Sequence, residues 1–299
     1  LTFKAMQEKL VRIGVFYDGN YFLQVSNYYA YGHSRKRRLS ISGLHDFIRY
    51  QVADEEASDV KLCQIVDSHY FRGRMSAVDA SQKGDTLYFD RVFDDILMSE
   101  GVTTHYLPLK TIFDGSKHEK GIDVWLALEA FELAFYKRFN VLVLIASDGD
   151  YVPLVRKLNT LGTRVMVLGW DFEYTTDSGQ RLTTRTSQEL LEEVTYPIQM
   201  SNIIDDRVRK SEPIINNLFV QTETKRPLMK FDIERSEILS LKNGYGFIKY
   251  PPNNLWFNYS NLIESDFNDL QVGDKVEFVI AQGKGKDGED IAEKVKLIQ

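Results

Sequence analysis

Between Val11 and Leu191, short runs that are apolar at nearly every position alternate with longer amphipathic stretches. Strands buried on both faces read as continuous apolar runs, and crossover helices read as period-3.6 stripes. The pattern predicts strands at Val11 to Tyr17, Val60 to Val66, Val102 to Leu107, Val141 to Ala146 and Arg164 to Leu168. Helices are predicted around Ser42 to Ala53, Gly84 to Ser99, Ile122 to Arg138, Tyr151 to Leu161 and Ser187 to Glu193, with Gly101 and Gly162 where C-termini should fall. This is an α/β domain with a parallel sheet, occupying residues 1–200. The periodicity then fades over residues 201–230 into a mixture of charge, Asn and Pro that reads as a linker. From Phe231 to residue 299, short alternating segments are broken by NGYG, PPNN and GKGKDGED, which predicts a small antiparallel barrel.

Composition narrows the class. The chain has 299 residues, 43% hydrophobic and 27% charged, so it buries a core and is not a disordered chain. No apolar run approaches the roughly 18 to 20 residues that span a bilayer, and LTFKAMQEKLVRIG has no secretory pattern. The single cysteine, Cys63, lies in the apolar run VKLCQIV and is expected to be buried; with no disulfide possible within the chain, a reducing cytoplasmic setting is expected. Net charge is −6, negative over residues 1–200 and 231–299 and positive only between them, so a polyanion would have to be gripped by local patches.

The first strand ends in FYDGNYF and the fourth in IASDGDY, which places Asp18, Asp148 and Asp150 at the carboxyl edge of the sheet. Asp123 opens the helix in KGIDVWLALEA and would have to face the same edge. Singly, each acid is readable as a helix cap or a first-turn acid. Together, carboxylates drawn from three segments repel unless a cation neutralises them, and hard oxygen donors select Mg²⁺ or Mn²⁺. Such a centre suits hydrolysis of a phosphodiester by an activated water. The five histidines show no zinc spacing and no Ser or Cys nucleophile pairs with one. A haloacid-dehalogenase-like phosphatase would need a second Asp where Asn20 stands.

These motifs, VFYDGNYF, KGIDVWLALEA and IASDGDYVPLVRKLNTLGTRVMVLG, resemble the NYN domain of the PIN-like nuclease superfamily, in its LabA-like branch, over about residues 11–195. The resemblance implies a Rossmann-like sheet and a metal-dependent endoribonuclease. It makes Asp18, Asp123, Asp148 and Asp150 the acidic cluster and metal ligands, Asn20 a supporting group and Glu129 a weaker candidate. Glu129 departs from the family's usual Asp and, six residues from Asp123, does not share its helical face.

Two further elements point to nucleic acid. YYAYGHSRKRRLS carries Arg35, Lys36, Arg37 and Arg38 after three tyrosines, a candidate phosphate grip, and Arg72 and Arg74 follow the second strand. In the C-terminal region, Tyr245, Phe247 and Trp256 fall on one face of adjacent strands, with Lys242 and Asn258 beside them, and form a platform on which unpaired bases stack. NGYGFI and LWFNYSN resemble the two nucleic-acid motifs of the cold-shock domain, an OB-fold, over about residues 234–298, with Ile238 where that family commonly has a stacking Trp. The expected protein is a ribonuclease whose cold-shock-like module holds single-stranded RNA. The alternative is a noncatalytic RNA-binding regulator. Oligomeric state is left open.

Overall fold

The computed structural model describes residues 9–111, 117–175, 179, 181–221, 233–263, 267–281, 283 and 289–298. Residues 1–8, residues 222–230 of the expected linker and residues 284–288 of GKGKDGED lie outside them. The chain divides into two compact units at Thr222/Glu223.

The first unit is built on six parallel strands: β1 Val11–Asp18, β2 Cys63–Arg74, β3 Thr103–Pro108, β4 Val141–Ile145, β5 Arg164–Gly169 and β6 Tyr196–Gln199. Their spatial order is β3-β2-β1-β4-β5-β6. The chain therefore winds outward from β1 in one direction and from β4 in the other. Between those two strands lies the switch point at which an open α/β sheet binds its ligands, beyond the carboxyl ends.

Helices cover both faces. Helices α1 Gly19–Asn27, α2 Ile41–Glu55 and α3 Thr86–Ser99 bury Phe22, Leu44, Phe47 and Leu97 against one. Helices α4 Ile122–Lys137, α5 Val152–Thr160 and α6 Gln188–Glu193 bury Leu126, Ala130, Leu158 and Leu190 against the other. The signals that start and stop these helices are local. Ser40 caps α2 by accepting from the Gly43 N–H at 3.1 Å, and Gly101 and Gly162 take φ of 69° and 77° just past α3 and α5, which a Cβ would oppose.

Three departures from the sequence pattern matter. The second strand starts at Cys63 and not at Val60, because Asp59 caps a single 3₁₀ turn, Val60–Leu62, and it continues to Arg74, so Arg72 and Arg74 lie in the strand. Helix α1 and strand β6 were not predicted; both are short, nine and four residues. Finally, residues 201–221, expected as linker, are part of the first unit: Ile204, Ile215, Leu218 and Phe219 are buried in its core, Leu39 bridges to Phe219, and the Ser40 N–H donates to the Leu218 carbonyl at 2.8 Å. Their apolar positions are too widely spaced among Asn, Asp and Lys to announce a core element.

The second unit is a closed five-stranded barrel of β7 Ile233–Lys242, β8 Tyr245–Ile248, β9 Leu255–Asn258, β10 Lys275–Ala281 and β11 Ile291–Leu297, ordered β7-β8-β9-β11-β10 with β10 returning to β7. Ile238, Ile248, Phe257, Val276 and Phe278 fill it. Among the described residues no helix is long and apolar enough to cross a membrane. Cys63 is buried.

Candidate active site

Asp18 terminates β1 at the switch point and caps α1: one carboxylate oxygen accepts from the Tyr21 N–H at 3.0 Å. The other accepts from the Tyr151 hydroxyl at 3.3 Å. Tyr151 arrives from the turn after β4, where Asp148 caps the 3₁₀ turn Gly149–Tyr151 by accepting from the Asp150 N–H at 3.0 Å. A Cβ at Gly149 would sit 2.9 Å from the Ser187 hydroxyl oxygen, which would have to move. The bland role of the acids as caps is thus real for Asp18 and Asp148, and it fixes both carboxylates at one edge.

The acids act on one another and on Tyr151 through their charges. Burial raises the Asp18 carboxyl above its ordinary range and the Asp148 charge adds to the rise; hydrogen bonds from Tyr21, Tyr151 and Asn20 work against it. Burial, followed by the charges of Asp18, Asp123 and Asp148, pushes the Tyr151 phenol well up, so it stays a proton donor. Asp123 reaches this group from the first turn of α4, after Gly121 at φ 83°. Asp148 and Asp150 are exposed, as is Asn20 on the first turn of α1.

Sequence reasoning missed two members. Tyr151 stands directly after Asp150, and Glu119 lies four residues before Asp123 in KHEKGID. Glu119 accepts from the Gly73 N–H at 2.6 Å. Burial raises its carboxyl, as do the charges of Asp18 and Asp123, while the Gly73 bond and Arg72 lower it. An acid just before a helix-opening Gly-x-Asp was the available signal. Glu129 is placed elsewhere: its charge acts on His105, whose affinity for a proton burial and His69 reduce. His105 and His69 are joined by a 2.9 Å ring-nitrogen contact.

Does this set suit a divalent ion? Among the described residues no three His, Cys, Asp or Glu side chains stand together closely enough to hold one as placed. The donors are nonetheless all hard oxygen, the Asp148 charge adds to the rise of the Asp18 carboxyl, and no described Lys or Arg forms an ion pair with Asp18, Asp123, Asp148 or Asp150. The chemistry of the set fits a cation that neutralises the group and draws it together.

The basic run is largely spoken for. Arg35 donates to the Asn216 side-chain oxygen at 3.2 Å and to the Ile204 carbonyl at 3.1 Å, and its guanidinium lies 4.7 Å from the centre of the Phe219 ring. Lys36 donates to the Tyr31 carbonyl, and Arg38 to Asn27 and the Tyr31 hydroxyl, both at 2.9 Å. Arg37 is half-buried among them. Of the tyrosines, Tyr29 is core and Tyr28 stacks on Phe172 at 4.4 Å. Arg72 pairs with Asp90 at 3.4 Å and Arg74 with Asp94 at 2.8 Å, which ties both to α3. Arg35→Ala is expected to cost the first domain about 1–3 kcal/mol, since it removes the contacts that tie Ile204, Asn216 and Phe219 to the loop before α2. Thermal melting should show that loss for Arg35→Ala and almost none for Arg37→Ala.

In the barrel, Tyr245 and Phe247 are half-buried on the outer face while Gly246, Ile248, Leu255 and Phe257 point inward. Phe247 pairs directly with Trp256, and Tyr245 with both Lys242 and Asn258. One face therefore carries two adjacent rings, a third beside them and an exposed lysine. Ile238 adds nothing to it, being buried inside. The Asn258 side-chain oxygen is taken by the Ser260 N–H at 2.9 Å as a cap. The glycines serve the backbone: Gly244 takes φ 82°, and a Cβ on Gly246 would lie 2.9 Å from the Phe257 ring.

Comparison with known proteins follows the same division. The family model for the cold-shock DNA-binding domain matches residues 237–298. A solved structure of a protein of unknown function from Vibrio parahaemolyticus, VPA0982, is similar at 19% identity and a TM-score of 0.41, over 65% of this chain and 96% of that one. No curated protein matches. The NYN domain model matches residues 12–195, well over half of the chain. With the doubly wound sheet and acids from β1, α4 and the turn after β4 at its switch point, the chain belongs to the NYN domain family and carries a cold-shock domain behind it.

Proposed function

We propose that the protein is a divalent-metal-dependent ribonuclease that hydrolyses phosphodiester bonds in single-stranded RNA held by its cold-shock domain. The observation that carries this reading is that the Tyr151 hydroxyl, 3.3 Å from the Asp18 carboxylate, joins the end of β1 to the turn capped by Asp148, where burial and the Asp148 charge raise the Asp18 carboxyl. An enzyme gains nothing from concentrating unneutralised carboxylates unless a cation and a substrate use them. Asp18, Asp123, Asp148 and Asp150 would hold Mg²⁺ or Mn²⁺, which when bound supplies charge for the phosphoryl oxygens and an acidified water.

The chain's own groups do the rest. The Tyr21 N–H and the Tyr151 hydroxyl fix the Asp18 carboxylate, so its orientation does not depend on substrate. Glu119, with its raised proton affinity, is suited to take the proton released when water attacks phosphorus. The ring face of the barrel holds bases without reading sequence. A noncatalytic RNA-binding regulator is the second reading, favoured by the lack of a preassembled metal group among the described residues.

A labelled single-stranded RNA incubated with Mn²⁺, with and without chelator, separates the two. Cleavage that chelator stops supports the nuclease, whereas binding without cleavage across several RNAs supports the regulator. Cleavage is further expected to rise with pH through a limb lying above the usual carboxylate range of about 4, because protons compete for raised carboxyls. Glu119→Gln should remove the part of that limb due to Glu119. A pH–rate profile of both proteins checks it.

A further inference from the structure

Helix α4 buries one stripe, Ile122, Leu126, Ala130 and Ala134, against the sheet. Its opposite stripe is also apolar. Val124, Leu128, Phe131 and Phe135 follow one another at spacings of four, three and four residues, and they are 58%, 65%, 36% and 58% exposed, with Tyr136 at 72%. At 100° per residue the four fall within a 60° arc, the narrow seam of an a/d heptad pattern and not the broad stripe of a helix on a sheet.

We propose that this seam is an interface with a second copy of the chain, formed by two α4 helices packed antiparallel about a two-fold axis between residues 129 and 130. Three observations select a second copy. The spacing is self-complementary: an antiparallel two-fold places Val124 against the partner's Phe135 and Leu128 against the partner's Phe131, a smaller side chain facing a larger one in both layers. Charge agrees with that direction. Helix α4 begins with Asp123 and ends at Lys137 followed by the exposed Arg138, so antiparallel packing brings the Arg138 of each copy to the turn carrying Asp123 in the other and opposes the helix dipoles. The area is adequate: the four seam side chains, at the exposures given, present roughly 400 Å² per copy, taking large side chains at 150–250 Å², the apolar centre of an interface of about 800 Å² per partner. RNA is a poor occupant because the exposed Glu132 borders the seam.

The dimer would set each acidic edge beside a guanidinium from the other copy, since Asp123 belongs to both the seam helix and the acidic group. Light scattering on the full chain at tens of micromolar should give twice the chain mass. Leu128→Glu with Phe135→Glu should give the single mass with unchanged circular dichroism, both positions being solvent-facing in one copy. Orientation is tested by a short bis-maleimide. Antiparallel packing leaves Leu128→Cys copies about 4 Å apart along the axis and Val124→Cys copies about 16 Å apart at 1.5 Å rise per residue, so only the former should cross-link, with the buried Cys63 silent. A monomeric wild type, a double variant that stays dimeric, or cross-linking at both or neither position overturns the proposal. So does a monomer in which the seam is covered by the chain's own cold-shock domain.

Discussion

Asp18→Asn is expected to reduce RNA cleavage by about a thousandfold or more, equivalent to at least ~4 kcal/mol of lost transition-state stabilisation, and at the same time to make the domain more stable. The two effects have one origin. The folded carboxyl binds its proton more tightly than an unfolded Asp does, so the stability tied to this group is complete below the unfolded value and is lost as pH rises through the folded one. Asparagine escapes that loss and still offers an oxygen to the Tyr21 N–H, so α1 keeps its cap. At neutral pH the variant should melt above the wild type, and the difference should vanish in acid. Mn²⁺ should raise the melting temperature of the wild type and leave the variant unmoved. Thermal melts from pH 4 to 8 with and without Mn²⁺ give all three results. A variant that cleaves normally removes Asp18 from the reaction.

The second large effect is expected on the barrel. Phe247→Ala and Trp256→Ala should each weaken binding of a short single-stranded RNA by about 5- to 150-fold, the equivalent of 1–3 kcal/mol per stacked base, with the barrel intact. Because the two rings sit side by side at paired positions of adjacent strands, their losses should not add where one base lies over both. Lys242→Ala, on the same face, should weaken binding and lower its salt dependence by about one ion. Phe257→Ala is the contrast, removing a fully buried ring at a cost of about 3–5 kcal/mol, so it should unfold the barrel before any binding can be measured. Fluorescence anisotropy at two salt concentrations, alongside a melt, distinguishes the outcomes. Unchanged affinity for both ring variants would mean that RNA uses another surface.

How much of this was legible beforehand depends on the length scale of the signal. The central strands β1 and β4 are apolar throughout because both faces are covered, so their ends, and with them Asp18, Asp148 and Asp150, could be placed from the chain alone. Asp123 was legible because a long amphipathic helix begins there. The doubly wound order that puts Asp18 beside Asp148 followed from alternating strands and helices. What escaped was set by tertiary contact. Nothing in RKRR says that Arg35 reaches across to Asn216 and Ile204, or that Arg72 and Arg74 find acids on α3. Glu119 acquires its character only when the Gly73 N–H and the other acids close around it. The barrel rings were assigned to the correct face by period-two alternation, yet the reason for Gly246 lay in the packing of Phe257 behind it.

The burial of Ile204, Ile215, Leu218 and Phe219 alters what counts as the portable module. The stretch that carries the family pattern stops at residue 195, but severing the chain there would strip β6 from the sheet edge and bare four large apolar side chains' worth of surface over α2. A transplant into another protein, or an ancestral recombination that kept the fold, would have to carry the segment through residue 221. Inherited homology and physical self-sufficiency end at different places along this polypeptide.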